Sequence, residues 1–195
     1  MFTDLFARFL DEFIDLHPTL ATAIGDHRHD DRWPDASAAG RAARLDFIDG
    51  WLGELEALGD ADLTRDEAID RDLVVQELEA ERFAELELRE ETWDPLQWVY
   101  LIGDGLFLLI ARDYAPLPDR LASVAGRLEG LPVLLDGARE ALVGPGDGRR
   151  VGRFQTETAL EQLGGIAELI DDALREADGG GPDDATGVAT GRRTA

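Results

Sequence analysis

The chain has 195 residues, enough for one domain with a sizeable buried core, and 44% of them are hydrophobic, which favours a folded body over disorder. Against 42 Asp and Glu it sets only 19 basic residues, a formal net charge of −23 that excludes phosphate-neutralising contact with nucleic acid and disfavours an anionic membrane surface. With no Cys, disulfides, thiolate nucleophiles and Cys-based zinc sites are also excluded.

Hydrophobic periodicity predicts helices almost throughout. Apolar pairs at Leu5/Phe6, Phe9/Leu10 and Phe13/Ile14 recur every four residues and make one buried face of a first helix, with Thr3 as a possible N-cap. His17-Pro18 ends it, because proline disfavours a helical conformation in the residue before it. A second helix is expected over about 37–58, with Leu45, Ile48, Trp51, Leu52 and Leu55 inward and Gly59 beyond its end. Thr64 and Glu67 have capping-box spacing and open a third helix, expected to run to about Glu90. On it Ile69, Leu73, Gln76, Ala80 and Phe83 follow one face, and its many glutamates read as a solvated face.

Trp93-Asp94-Pro95 breaks that helix. The next, about 96–112, is apolar on nearly every side and is expected to be central. A fifth helix starts near Pro118 with Leu121, Val124 and Leu128 inward, and Pro132 is expected to kink or restart it. The run from Gly144 to Gly148 is a loop, a last helix covers about 154–177, and the Gly-rich segment 179–195 reads as a disordered tail. No alternation supports a sheet. The fold class is all-α: an up-and-down array of six or seven helices over residues 1–178, followed by that tail.

The candidate chemistry concentrates between His17 and Asp35, which contains every histidine: His17, His27 and His29. His27, His29 and Asp30 have the right donor atoms for Zn²⁺ or Mn²⁺, and the two histidines, two residues apart, share a side of an extended loop. The competing reading is a polar loop that joins two helices through ion pairs to Arg28 and Arg32. No His precedes Glu, so the H-E-x-x-H helix of zinc proteases is absent, and so are nucleophile-elbow, P-loop and dinucleotide motifs. No catalytic residue is assigned. Trp93, Trp98 and Tyr100 fit either a pocket wall or the core.

The ordered features P-T-L-A-T-x-I-G-D-H-R-H-D-D-R-W-P-D-A-S from Pro18, W-D-P at Trp93 and R-L-x-x-L-P at Arg127 resemble the N-terminal part of the bacterial family called domain of unknown function 885. The resemblance covers about residues 3–178. It implies a largely helical, zinc-metallopeptidase-like parent whose H-E zinc motif lies in a C-terminal half that has no counterpart here, so zinc is expected only there and no cofactor in this chain. It also implies that this region walls a substrate channel, with the His27–Asp30 turn fixing the first helix against the second.

The expected function is therefore a non-catalytic helical module, from a truncated relative or one piece of a split enzyme. The alternatives are the substrate-channel half of a zinc hydrolase completed by a partner chain, and a stand-alone helical binding module. A partner chain or self-association through an exposed apolar face is expected, and neither nucleic acid nor membrane. Residues 1–16 are acidic and lack a basic leader, so a cytoplasmic location is expected.

Overall fold

The computed structural model describes residues 2–143 and 150–177. These form seven α-helices and no strand: α1 (Phe2–Leu16), α2 (Pro18–Ile24), α3 (Ala38–Glu56), α4 (Arg65–Phe83), α5 (Pro95–Ala111), α6 (Leu117–Val143) and α7 (Arg153–Ala177). The all-α, up-and-down class read from the sequence is the observed one. The expected loop at 144–148 and the expected tail from residue 179 lie outside the described residues.

Local chemistry sets most of the boundaries. The Thr64–Glu67 capping box is formed in both directions, so two otherwise unpaired N–H groups at the start of α4 are satisfied. Asp94 caps α5 by accepting from the Leu96 N–H, and Pro95 takes the first helical position, where its missing donor costs nothing. Pro18 does the same for α2, a seven-residue helix the periodicity did not reveal. That helix ends at Gly25, whose φ of 94° a side chain would oppose.

Three expectations change. α1 already includes Phe2, so Thr3 is inside the helix and not its cap. Helix α6 runs as one 27-residue element through Pro132, without a restart. The α-helical part of α4 stops at Phe83, and the chain continues as a π-helical turn, Ala84–Leu88. Arg89 then takes left-handed angles (φ 48°, ψ 46°), and Glu90–Thr92 form a 3-10 turn.

Two cores result. The first joins α1, α3 and α4 through Phe9, Ile48, Trp51, Leu55 and Leu78. Along α1, Phe2, Phe6, Phe9, Phe13 and His17 stack in sequence, with successive ring centroids 6.0, 5.9, 5.7 and 4.4 Å apart. The second joins α5 and α6 through Ile102, Leu106, Leu109, Val124 and Leu134, with Ile166 and Ile170 of α7 against it.

The segment 17–37 ties the two cores together. α2 packs on both α1 and α5, and the loop after it lies along α6. There a Cβ at Gly126, Gly130 or Gly137 would come within 2.8 Å of Asp31, 3.2 Å of Trp33 and 2.7 Å of Ala36 respectively. The glycines thus form a groove in which the loop sits. Trp33 penetrates deepest: its ring packs on Gly105 of α5, and its Nε1 donates to the Arg127 carbonyl at 2.6 Å.

Candidate functional site

Asp30 is the centre of one buried polar network. It is only 5% exposed. Its Oδ1 accepts from the Thr22 hydroxyl at 2.7 Å, and its Oδ2 accepts from the Tyr114 hydroxyl at 2.8 Å. The same Oδ2 lies 2.9 Å from His27 Nδ1. Because the carboxylate is an acceptor, that nitrogen is the donor. The His27 ring lies flat on Tyr114, with centroids 3.6 Å apart and planes 4° apart. Burial first, then the hydrogen bond to Asp30, pushes the Tyr114 hydroxyl well above the usual phenol range.

Arg127 closes the network from α6. It is fully buried. Its Nη2 donates to Thr22 Oγ1 at 2.7 Å and its Nη1 to the Gly105 carbonyl, while the guanidinium lies 5.3 Å from the Trp33 ring. Burial lowers its pKa, with Asp30 opposing. Arg127 is thus linked to Asp30 through Thr22, and α2, the loop, α5 and α6 share one set of hydrogen bonds. The sequence marked Arg127 only as the start of a family motif and did not single out Tyr114. A signal was present, since Arg120, Val124, Arg127, Leu134 and Ala138 follow one inward stripe of α6.

The remaining histidines go elsewhere. His29 Nε2 pairs with Asp15 Oδ1 at 2.9 Å, and Arg32 joins the same carboxylate at 3.2 Å. His27, His29 and Asp30 do not converge: among the described residues no group of three or more His, Asp or Glu is arranged to hold a metal ion. The residues present do not fit a zinc-ligand set.

His17 belongs to a second cluster, together with glutamates that the sequence reading left as a solvated face. Glu85, on the π turn, accepts from Arg44 Nε at 2.7 Å, lies 3.2 Å from Arg41 Nε, and takes a further Arg41 donor on its carbonyl. Glu91 lies 3.8 Å from Arg41. His17 Nε2 comes within 3.3 Å of Glu81 but is not aligned for a hydrogen bond. Burial, aided by the nearby Arg44 charge, lowers the His17 pKa to about 4. Burial likewise pushes Glu81 and Glu91 above the ordinary carboxylate range.

These groups line two adjoining spaces. One, of about 400 Å³, lies between His17, Arg44, Glu81, Glu85 and Leu101. The other, of about 670 Å³, opens between the start of α3, Arg89 and the end of α6. Trp98, Arg44, Glu91 and Ala36 border both. Of the three aromatics noted near the start of α5, Trp98 is the one that walls these spaces, its Nε1 held by the Glu91 carbonyl at 3.0 Å.

Comparison with known proteins fits this architecture. The family described as bacterial protein of unknown function (DUF885) matches residues 18–192. Comparison with curated proteins returns no match. Among solved structures, one described as a putative lipoprotein of unknown function from Shewanella oneidensis has a similar fold, with a TM-score of 0.69 and 22% identity. The match covers 92% of this chain and 37% of that one, so this chain spans well under half the length of that neighbour. The chain belongs to the DUF885 family.

Proposed function

We propose that this DUF885 protein is a non-catalytic helical module, the counterpart of the N-terminal subdomain of longer, metallopeptidase-like members, and that it works by docking. The observation that carries this reading is an uncovered apolar stripe on α4. Ile69, Leu73 and Phe83 are 49%, 58% and 54% exposed, while Leu78 on the opposite side of the same helix is buried in the first core. An amphipathic helix in a closed domain hides its larger apolar face. The match to a little over a third of a longer neighbour supports one kind of occupant for the stripe: the remaining body of such a protein, or a partner chain that takes its place.

The Asp30–Arg127 network has a structural part in this reading. It locks the loop and α2 onto α5 and α6, so the module presents a fixed surface. The enzyme reading, half of a zinc hydrolase completed by a partner, rests on the resemblance alone.

The module reading is tested on the purified chain by itself. The purified chain is offered a fluorogenic peptide with and without added Zn²⁺, and Zn²⁺ binding is followed by calorimetry in the native chain, His27→Ala and His29→Ala. The module reading expects no turnover and no stoichiometric site. Zinc-dependent turnover, or one site per chain lost in either variant, overturns it. Docking is tested by sedimentation: any self-association should be abolished in Ile69→Glu/Leu73→Glu without loss of helicity.

A further inference from the structure

The larger cleft is bordered by four arginines: Arg41 and Arg44 of α3, Arg89 beyond the π turn, and Arg139 of α6. Glu91 and Glu140 lie on its wall, and Glu85 sits behind Arg41 and Arg44. Glu85 and Glu91 engage Arg41 and Arg44, whereas Arg139 stands exposed at the rim, in a chain whose net charge is −23. The remaining wall is largely apolar, with Trp98 as a flat side and Ala36, Ala38, Ala141 and Val143 around it.

Backbone irregularity gathers at the same place. The π turn brings Glu85 to Arg41 and Arg44, and the left-handed turn puts Arg89 at the cleft. Arg89 is the sole non-glycine residue with positive φ among those described. A non-glycine residue in that region costs energy that the surrounding structure must offset, and such residues gather at binding sites. The α3 N-terminus, at Ser37 and Ala38, adds its positive dipole end to the same wall. A volume of about 670 Å³ suits a small organic molecule, not a bare ion.

We propose that the cleft between α3, Arg89 and the end of α6 binds a small organic carboxylate with a flat or branched apolar body, the carboxylate held by the arginines and the body against Trp98 and Val143. A guanidinium pairs with a carboxylate through parallel N–H donors, which a neutral amide of the same shape cannot reproduce. The apolar wall would go unused by an inorganic anion. This inference does not depend on the docking reading, because the α4 stripe lies outside the cleft lining.

The test is calorimetric, on the full chain. The probes are 3-phenylpropionate, its neutral amide and inorganic phosphate. The carboxylate should bind one per chain, and the amide and phosphate each about tenfold more weakly. Arg139→Ala should weaken the carboxylate about fivefold and leave the melting curve unchanged, since Arg139 is exposed at the rim. Arg139→Lys should recover part of the loss. Trp98→Phe should weaken both organic probes together. The proposal is overturned by equal binding of acid and amide, by phosphate binding as tightly as the acid, by an unchanged affinity in Arg139→Ala, or by no heat at millimolar probe with a chain that melts normally.

Discussion

Arg127 shows how one residue can hold several elements together. It is wholly buried and donates to Thr22 and Gly105, and through Thr22 it meets Asp30. Removing one member of such a set leaves the other polar groups buried without partners, which typically costs about 3–5 kcal/mol. Arg127→Met should therefore lower the unfolding free energy measured in urea by that much, and a value within experimental error of the native one would contradict the role given to it. His17 makes a pH prediction. Its folded pKa of about 4 lies below the ordinary 6.5, so the unfolded chain takes up this proton more readily. Its burial is free of that cost above pH 6.5, and stability falls as pH drops from there towards 4, by roughly 3 kcal/mol in all. Glu81 and Glu91, whose pKa values are raised, act in the opposite sense, since protonation relieves their burial. The His17 contribution is isolated by the difference in unfolding free energy between the native chain and His17→Gln across that window. A flat difference would show that His17 titrates normally.

Individual glycines behave differently according to what faces them. A Cβ at Gly105 would meet the Trp33 ring at 2.5 Å and Arg127 Nη1 at 3.2 Å. Gly105→Ala should lose about 1–3 kcal/mol through overpacking, although alanine is the better helix former. Gly53 of α3 has open space at the same position. Gly53→Ala should gain about 0.5–1 kcal/mol. Thermal melts of the two variants side by side check the pair, and the claim that the loop is seated between α5 and α6 fails if Gly105→Ala stabilises. At the start of α4, Thr64→Ala should cost about 1 kcal/mol by opening the capping box.

Across the whole molecule, charge is the dominant feature. At −23 the folded chain repels itself, more strongly than its scattered surface ion pairs attract. Screening over a Debye length of about 8 Å at physiological salt should relieve this. The melting temperature is expected to rise between low salt and about 0.15 M NaCl; a fall would mean that the ion-pair clusters outweigh the general repulsion. The same net charge makes the Arg-bordered cleft distinctive, because no short run of the sequence is basic there. Its arginines come from positions 41, 44, 89 and 139, and only the packing of α3, the π turn and α6 brings them together.

The sequence by itself determined the helical class, most helix boundaries and the family, because these depend on local periodicity, caps and prolines that act within a few residues. It also marked His17–Asp35 as the unusual segment. It misassigned Glu81, Glu85 and Glu91 to a solvated face, because nothing local signals that Glu85 will meet Arg41 and Arg44 more than 40 residues away. It placed Ile69, Leu73 and Phe83 on one face but could not say that this face stays uncovered, since periodicity defines a stripe and not its neighbour. It offered His27, His29 and Asp30 as one constellation. Only the tertiary structure decided that His27 turns to Asp30 and His29 to Asp15, because Thr22, Tyr114 and Arg127, which fix Asp30, come from three different helices or their flanks.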